Sequence, residues 1–235
     1  MKKFLIQTIN NRVEHDFSFH LIKAIEYNNW FYNEKVYDYV LSEQVGIYKD
    51  FIPVGSLEFV FHYLEQHHHK DKKSIKPINI PHELRIDEFL NRNVYVANKN
   101  TISLSGEKFI KSNSEYKSFT DVVSDVNVLP DGEYLVSDVI DIESEWRAFI
   151  CQNELVGLKH YAGDFKLFPN ISLIEKMIRS YTKGPNSYTL DVGINKDGCF
   201  VIEVHPFVSC GLYGFADYKR LPLMFIQGYN YMLQN

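Results

Sequence analysis

Two apolar periods alternate along the chain. The run from Phe4 to Ile9 suits a buried strand, and Phe19, Ile22, Lys23, Ile25 and Glu26 then alternate at helical spacing, which predicts a helix behind it. Ser56 is placed to cap a second helix, whose Phe59, Val60, Tyr63 and Leu64 form one apolar stripe. That helix is expected to end in the run His67-His68-His69-Lys70-Asp71-Lys72-Lys73, read as a solvated loop. Consecutive helical residues diverge by about 100°, so three adjacent histidines cannot hold one metal from one face. Pro77 and Pro81 punctuate a connector, and Pro81 suits the first position of a short helix through Leu90. The first third therefore reads as a loose α/β unit.

Beyond Arg92 the period shortens to that of strands. Asn93 to Ala97, Glu107 to Ser112, Glu133 to Ile142, Glu145 to Cys151 and Glu154 to Tyr161 are all predicted to be extended. A helix from about Ser172 to Tyr181 follows, then strands at Tyr188 to Ile194 and Phe200 to His205. These two are joined by Asn195-Lys196-Asp197-Gly198, a hairpin signal. A last helix is predicted from near Leu221 to Leu233, and no internal repeat is visible.

At 235 residues the chain is one large unit or two small ones, with the apolar and charged fractions, 45% and 23%, of a globular protein. Aromatic residues are unusually frequent at 15%. Rings such as Trp30, Phe31, Tyr32, Tyr37 and Tyr39 are read as core or inter-lobe packing rather than as a peptide groove, because large rings mostly serve burial. The formal charge of −5 supplies no broad basic field for nucleic acid. Cys151, Cys199 and Cys210 show neither disulfide nor zinc spacing and fit a reducing cytoplasm. The N-terminus reads as a strand rather than a signal peptide, and no apolar window reaches the roughly 18 residues of a membrane span.

The C-terminal hairpin carries the most legible chemistry. Residues two apart on a strand share a face, so a tight turn would set Asp191 against Glu203 and His205. Two carboxylates and a neutral ligand suit a hard divalent cation carried by nucleotide phosphates; the plain alternative is a solvent-facing polar side. Against the latter, Phe200, Val201, Ile202 and Val204 make the strand apolar on both faces, where unpaired carboxylates are costly. A second group is basic: Lys111 at a strand end, Lys117 in the following polar stretch, Arg147, and Lys159 on the next strand. Such a cluster beside an acidic site can manage triphosphate charge. Between them, the extended segment Tyr134 to Asp141 offers backbone groups to an adenine edge. No Gly-x-Ser-x-Gly elbow, Walker loop or dinucleotide fingerprint is present, so a phosphate site must be built from side chains.

With Lys111, Arg147, Lys159, Asp191 and Glu203-Val204-His205 in this order, the sequence resembles ATP-grasp proteins, and within them the clade of small bacterial and phage members named for one arginine and two lysines. The likeness is strongest over residues 105 to 216; Phe51 to Ser56 and Pro77 to Leu84 also resemble that clade's N-terminal part. The resemblance implies an α+β, ATP-grasp fold: an N-terminal α/β pre-ATP-grasp domain over 1–92 and an ATP-grasp domain over 93–235, its small lobe at about 93–138 and its large lobe at about 139–235. It implies Lys111 on the ATP phosphates, Lys117 on a loop closing over them, Ser137, Asp138, Val139 and Ile140 as the linker whose backbone reads adenine, and Glu145 near the ribose. Arg147 and Lys159 would face the γ-phosphate or an acyl-phosphate, and Asp191 and Glu203 would bind magnesium.

One departure stands out. The superfamily usually reads Glu-x-Asn where this chain has Glu203-Val204-His205, and an imidazole is softer than the carbonyl oxygen magnesium prefers. His205 would then bind metal poorly, favour manganese, or hydrogen-bond a phosphate. The glycine-rich loop of larger relatives is replaced by 112–119, which shifts phosphate closure onto Lys117. The implied activity is that of a cytoplasmic ADP-forming carbon–nitrogen ligase using ATP and magnesium. It would join a carboxylate substrate to an amine acceptor, a small molecule or a peptide. The alternatives are a nucleotide-binding protein without ligase activity and an ATP-dependent phosphotransferase.

Overall fold

The computed structural model describes residues 1–235. Strand β1 (Lys2–Gln7) carries three consecutive fully buried residues, Phe4, Leu5 and Ile6. Such a run is covered on both faces only inside a sheet, and β1 is the centre of a parallel three-stranded sheet between β2 (Tyr37–Ser42) and β3 (Ile52–Val54). Helix α1 (Asp16–Phe31) joins β1 to β2, and α2 (Leu57–His68) follows β3. The Ser56 hydroxyl accepts from the Phe59 N–H at 3.2 Å, the expected cap.

Three expectations for this region are corrected. Helix α2 ends inside the histidine run, as expected, but its last turn takes in His67 and His68, whose Nε2 atoms lie 3.0 Å from the Val45 carbonyl and 2.8 Å from the Tyr229 hydroxyl; His68, His69 and Asp71 to Ser74 are exposed, so the run is solvated but not all loop. Pro81 precedes a single 3₁₀ turn, His82–Leu84, and a separate one-turn helix α3 (Asp87–Leu90) follows, in place of one helix. Trp30, Phe31 and Tyr32 are 75%, 49% and 50% exposed, because the buried stripe of α1 ends at Asn28 and these rings pack on one another outside it. Tyr37 and Tyr39 do pack against the core.

The rest of the chain builds two antiparallel sheets. The small one contains β4 (Val94–Asn98), β5 (Lys108–Ser112), β6 (Thr120–Val123) and β7 (Glu133–Asp138) in the order β4-β7-β5-β6. Strand β7 stops at Asp138 rather than Ile142, so 139–142 becomes the linker to the large sheet. The large sheet contains β8 (Ser144–Cys151), β9 (Glu154–Gly163), β10 (Ser187–Asn195) and β11 (Gly198–Pro206) in the order β11-β10-β8-β9. Helix α4 (Ile171–Ser180) lies between β9 and β10, and α5 (Leu221–Gln234) closes the chain. Gly198, at φ +119°, takes the turn conformation an L side chain resists.

Strand alternation splits the large sheet between two cores. Ala148 and Ile150 belong to a core of 19 buried residues shared with α3 and α4, whereas Phe149 and Cys151 belong to a core of 26 that continues through α5 into the N-terminal sheet. The small sheet has only six buried core residues of its own. No helix is long and apolar enough to cross a membrane.

Candidate functional site

In the ladder of the large sheet, Glu203 on β11 opposes Asp191 on β10, Asp191 opposes Arg147 on β8, and Arg147 opposes Lys159 on β9. Directly opposed residues share a face, so four charged groups form one row across the sheet. At its centre Arg147 Nε donates to Asp191 Oδ1 at 2.7 Å and Arg147 Nη2 to Asp191 Oδ2 at 2.7 Å, while Nη1 donates to the Gly211 carbonyl at 3.1 Å. Both side chains are buried. Burial works against the guanidinium charge, but the hydrogen bonds and charge of Asp191 outweigh it and hold Arg147 above its ordinary pKa. The guanidinium also lies over the rings of Tyr161 and Tyr213, 5.7 and 5.2 Å from their centroids.

The outer end of the row is a second charged group. Glu203 accepts from Lys111 of the small sheet and lies 2.5 Å from His205 Nε2. Burial alone would raise the Glu203 carboxyl; His205 and Lys111 together hold it well below the ordinary carboxylate range. Register slips by one residue at Asp191/Val192, leaving Ile202 as the extra residue of a bulge. His205 itself opposes Thr189, so the hairpin sets only Glu203 directly against Asp191.

A cavity of about 340 Å³ opens between the two sheets. Of the residues singled out in the sequence, Lys111, Ser137, Asp138, Val139, Ile140, Glu145 and Glu203 line it. The linker groups best placed for an adenine edge are those of Val139 and Ile140, which make no backbone hydrogen bond. Asp138 is spent on structure: its carboxylate accepts from Lys108 at 2.6 Å and from the Asn93 N–H at 3.0 Å, and the Lys108 hydrogen bond, followed by that of Asn93, lowers its pKa. Glu145 accepts from the Tyr161 hydroxyl at 2.7 Å.

Several lining residues escape sequence reasoning, among them Phe109, Arg92 and Asn79. Phe109 was findable, since it lies two positions from Lys111 on the same strand face. Arg92 had no signal: it donates to Ser137 Oγ and to the carbonyls of Leu90 and Val201, and burial lowers its pKa to about 10. Asn79 had none either. It sits in the connector with φ +53°, and its Oδ1 is buried without a partner.

Lys117, Arg147 and His205 line a second cavity of about 170 Å³, with Leu57 at the start of α2 and Cys210–Gly211. Cys210 is no nucleophile there, because burial pushes its thiol up to about 12. Lys159 keeps its place in the row but lines neither cavity. A further hollow of about 390 Å³ outside the 113–119 loop is lined by Glu58, Glu65, Asp71 and Glu115 together with His62, Lys72 and Lys73, a mixed and acid-rich lining. No three His, Cys, Asp or Glu side chains come together as a metal cluster. Asp191 is turned to Arg147, and Glu203 to Lys111 and His205.

Residues 89–221, more than half of the chain, match the ATP-grasp domain of R2K clade family 2. Among solved structures, the RimK domain protein ATP-grasp from Sphaerobacter thermophilus DSM 20745 superposes with a TM-score of 0.55 at 14% identity, covering 98% of this chain and 100% of that one. The D-alanine–D-alanine ligase from Bacillus anthracis complexed with ATP also gives 0.55 at 14%, over 100% and 99%. The macrocyclase MdnC bound with precursor peptide MdnA from Microcystis aeruginosa MRC gives 0.52 at 12%, over 96% and 99%. At such identities the likeness is one of fold. No curated protein matches the sequence. Two unequal sheets with a linker-lined cavity between them, and a sequence match spanning both, agree: the chain belongs to the R2K clade of the ATP-grasp family.

Proposed function

We propose that this protein is an ATP-dependent carboxylate–amine ligase. The observation that carries the reading is the wall between the two cavities. Glu203 lines the larger and its partner His205 the smaller, so a nucleotide in one and a small anion in the other would meet at this pair. In the larger cavity adenine packs by Phe109 and Leu135 and meets the free backbone of Val139 and Ile140, the ribose lies by Glu145, and Lys111 turns to the phosphates. In the smaller, Lys117 and Arg147 attract a carboxylate. A carboxylate oxygen then attacks the γ-phosphorus, the bond to the β-phosphate oxygen breaks and ADP leaves. An amine next attacks the carbonyl carbon of the acyl-phosphate and expels phosphate. Positioning and fixed positive charge supply most of the acceleration in such a transfer. Arg147 is pre-set for that role, clamped by Asp191 and two tyrosine rings.

A divalent cation, which ATP-grasp ligases use, would neutralise the β- and γ-phosphates. Glu203 fits as its carboxylate: it is at the cavity wall and its lowered pKa keeps it ionised. Asp191 would join only by giving up an oxygen held by Arg147.

The test is to incubate the protein with Mg-ATP and pools of carboxylates and amines, following ADP and product mass together. The expected result is ADP release that needs both substrates, with a product lighter than their sum by one water, and loss of both signals in Glu203→Gln. A product carrying an added phosphate would identify a phosphotransferase. Nucleotide binding with no ADP from any pool would leave a binding protein.

A further inference from the structure

Asn79 lies in the connector from the N-terminal unit, outside the segment that matches the family. It holds together the two sides of the nucleotide cavity. Its carbonyl accepts from the Val204 N–H at 2.6 Å, between Glu203 and His205 on the large sheet. Its Nδ2 donates to the Ser112 carbonyl at 2.9 Å, next to Lys111 on the small sheet, and to Asn113 Oδ1 at 3.1 Å. Ser112 offers a carbonyl, which can only accept, so the amide orientation is fixed and the remaining atom is an oxygen. That Oδ1 belongs to a side chain 1% exposed, on a residue lining the cavity, and it has no hydrogen-bond partner.

A buried carbonyl left unpaired is costly, so a ligand that brings it a partner gains from the pairing. The chemistry of its neighbours narrows the choice. Phosphate oxygens are acceptors and cannot pair with a carbonyl. The adenine end, at Val139 and Ile140, belongs to the linker, whereas Asn79 is anchored beside Lys111 and Glu203. The nearest ammonium, Lys111, is already on Glu203. His205 offers nitrogen, and its Nε2 is engaged by Glu203. A hard cation needs oxygen ligands, neutral ones among them.

We propose that Asn79 Oδ1 is the neutral oxygen ligand, with Glu203, for the divalent cation that enters with the nucleotide. This rests on the nucleotide-binding reading above. Lys111 would have to exchange Glu203 for the phosphates before Glu203 and Asn79 Oδ1 could hold the cation together.

The experiment titrates manganese(II) into the protein in the presence of adenylyl imidodiphosphate, reading free Mn²⁺ by electron paramagnetic resonance, with nucleotide affinity measured separately in EDTA. Asn79→Gly suits the left-handed backbone at φ +53° and removes only the side chain. It is expected to weaken Mn²⁺ binding by about tenfold or more, a clearly larger fall than that in metal-free nucleotide affinity, which loses only the bonds of Asn79 to Ser112 and Asn113. Mn²⁺ affinity equal to wild type, or an equal fall in both affinities, overturns the assignment. Should that variant not fold, Asn79→Asp keeps an oxygen in place and is expected to bind Mn²⁺ at least as tightly as wild type; weaker binding overturns the assignment. Wild-type protein that binds no nucleotide overturns the ligase reading itself, and this inference with it.

Discussion

The two four-stranded sheets that wall the larger cavity follow one antiparallel plan but are unequally supported. The large sheet is covered on both faces, by cores of 26 and 19 residues, and it carries the buried Arg147–Asp191 pair. The small sheet has a core of only six buried residues, lends just Val94 and Leu135 to the 19-residue one, and its Lys108–Asp138 pair is partly open to water. Charges that must be held in one geometry sit on the heavily packed sheet. The lightly packed sheet is the one expected to open more readily, if local stability follows buried contact.

Replacing Asp191 by Ala would break this comparison if it were wrong. It leaves a buried guanidinium without a counter-charge, and the expected loss is about 3–5 kcal/mol in urea unfolding, together with loss of turnover. Lys108→Ala, the matching cut in the small sheet, is expected to cost about 1 kcal/mol or less. Equal losses would show that the two ion pairs are not differently embedded.

Most of the fold was legible because its signals are local. β1, the Ser56 cap, the hairpin around Gly198 and α5 all follow from periods and turn residues inside one segment. The elements passed over are edges: β2 is half-buried, β3 contains Pro53, and β6 is exposed at three of its four positions. The histidine run faces water as read, but the helix extends into its first two residues, where α5 supplies Tyr229 to His68. In the site, the order of Lys111, Arg147, Asp191 and Glu203 could be read, but their pairing could not. That Asp191 meets Arg147 and Glu203 meets Lys111 depends on strand order and on how one sheet docks against the other. Arg92 and Asn79 were invisible for the same reason, as connector residues with partners on strands far away in the chain.

Ile110→Ala sharpens the contrast one step down. Ile110 is fully buried in the small sheet's slight core, and truncation is expected to cost about 2–5 kcal/mol. Hydrogen exchange should show it as faster opening of β4 to β7, with β8 to β11 unchanged. Uniform acceleration would mean that the sheets open together.

The smallest effect is in pH. The folded pKa of Glu203 lies below its ordinary value of 4.5, so its contribution to stability is complete above that value and is lost as pH falls toward the lowered folded one. Wild type should therefore exceed Glu203→Gln in urea midpoint at neutral pH, and the excess should shrink between about pH 5 and pH 2. A gap that is constant over that range would remove the Lys111–Glu203–His205 group as the cause.

One extra residue in β11 does more than bend a strand. Ahead of the slip, Val201 points its methyls into the 19-residue core; past it, Ile202 and Glu203 both front the cavity, so the usual in–out alternation is suspended for a single step. An apolar side chain and a carboxylate thereby reach one cavity from adjacent codons, and a strand that is apolar on paper from end to end acquires a charged, cavity-facing side.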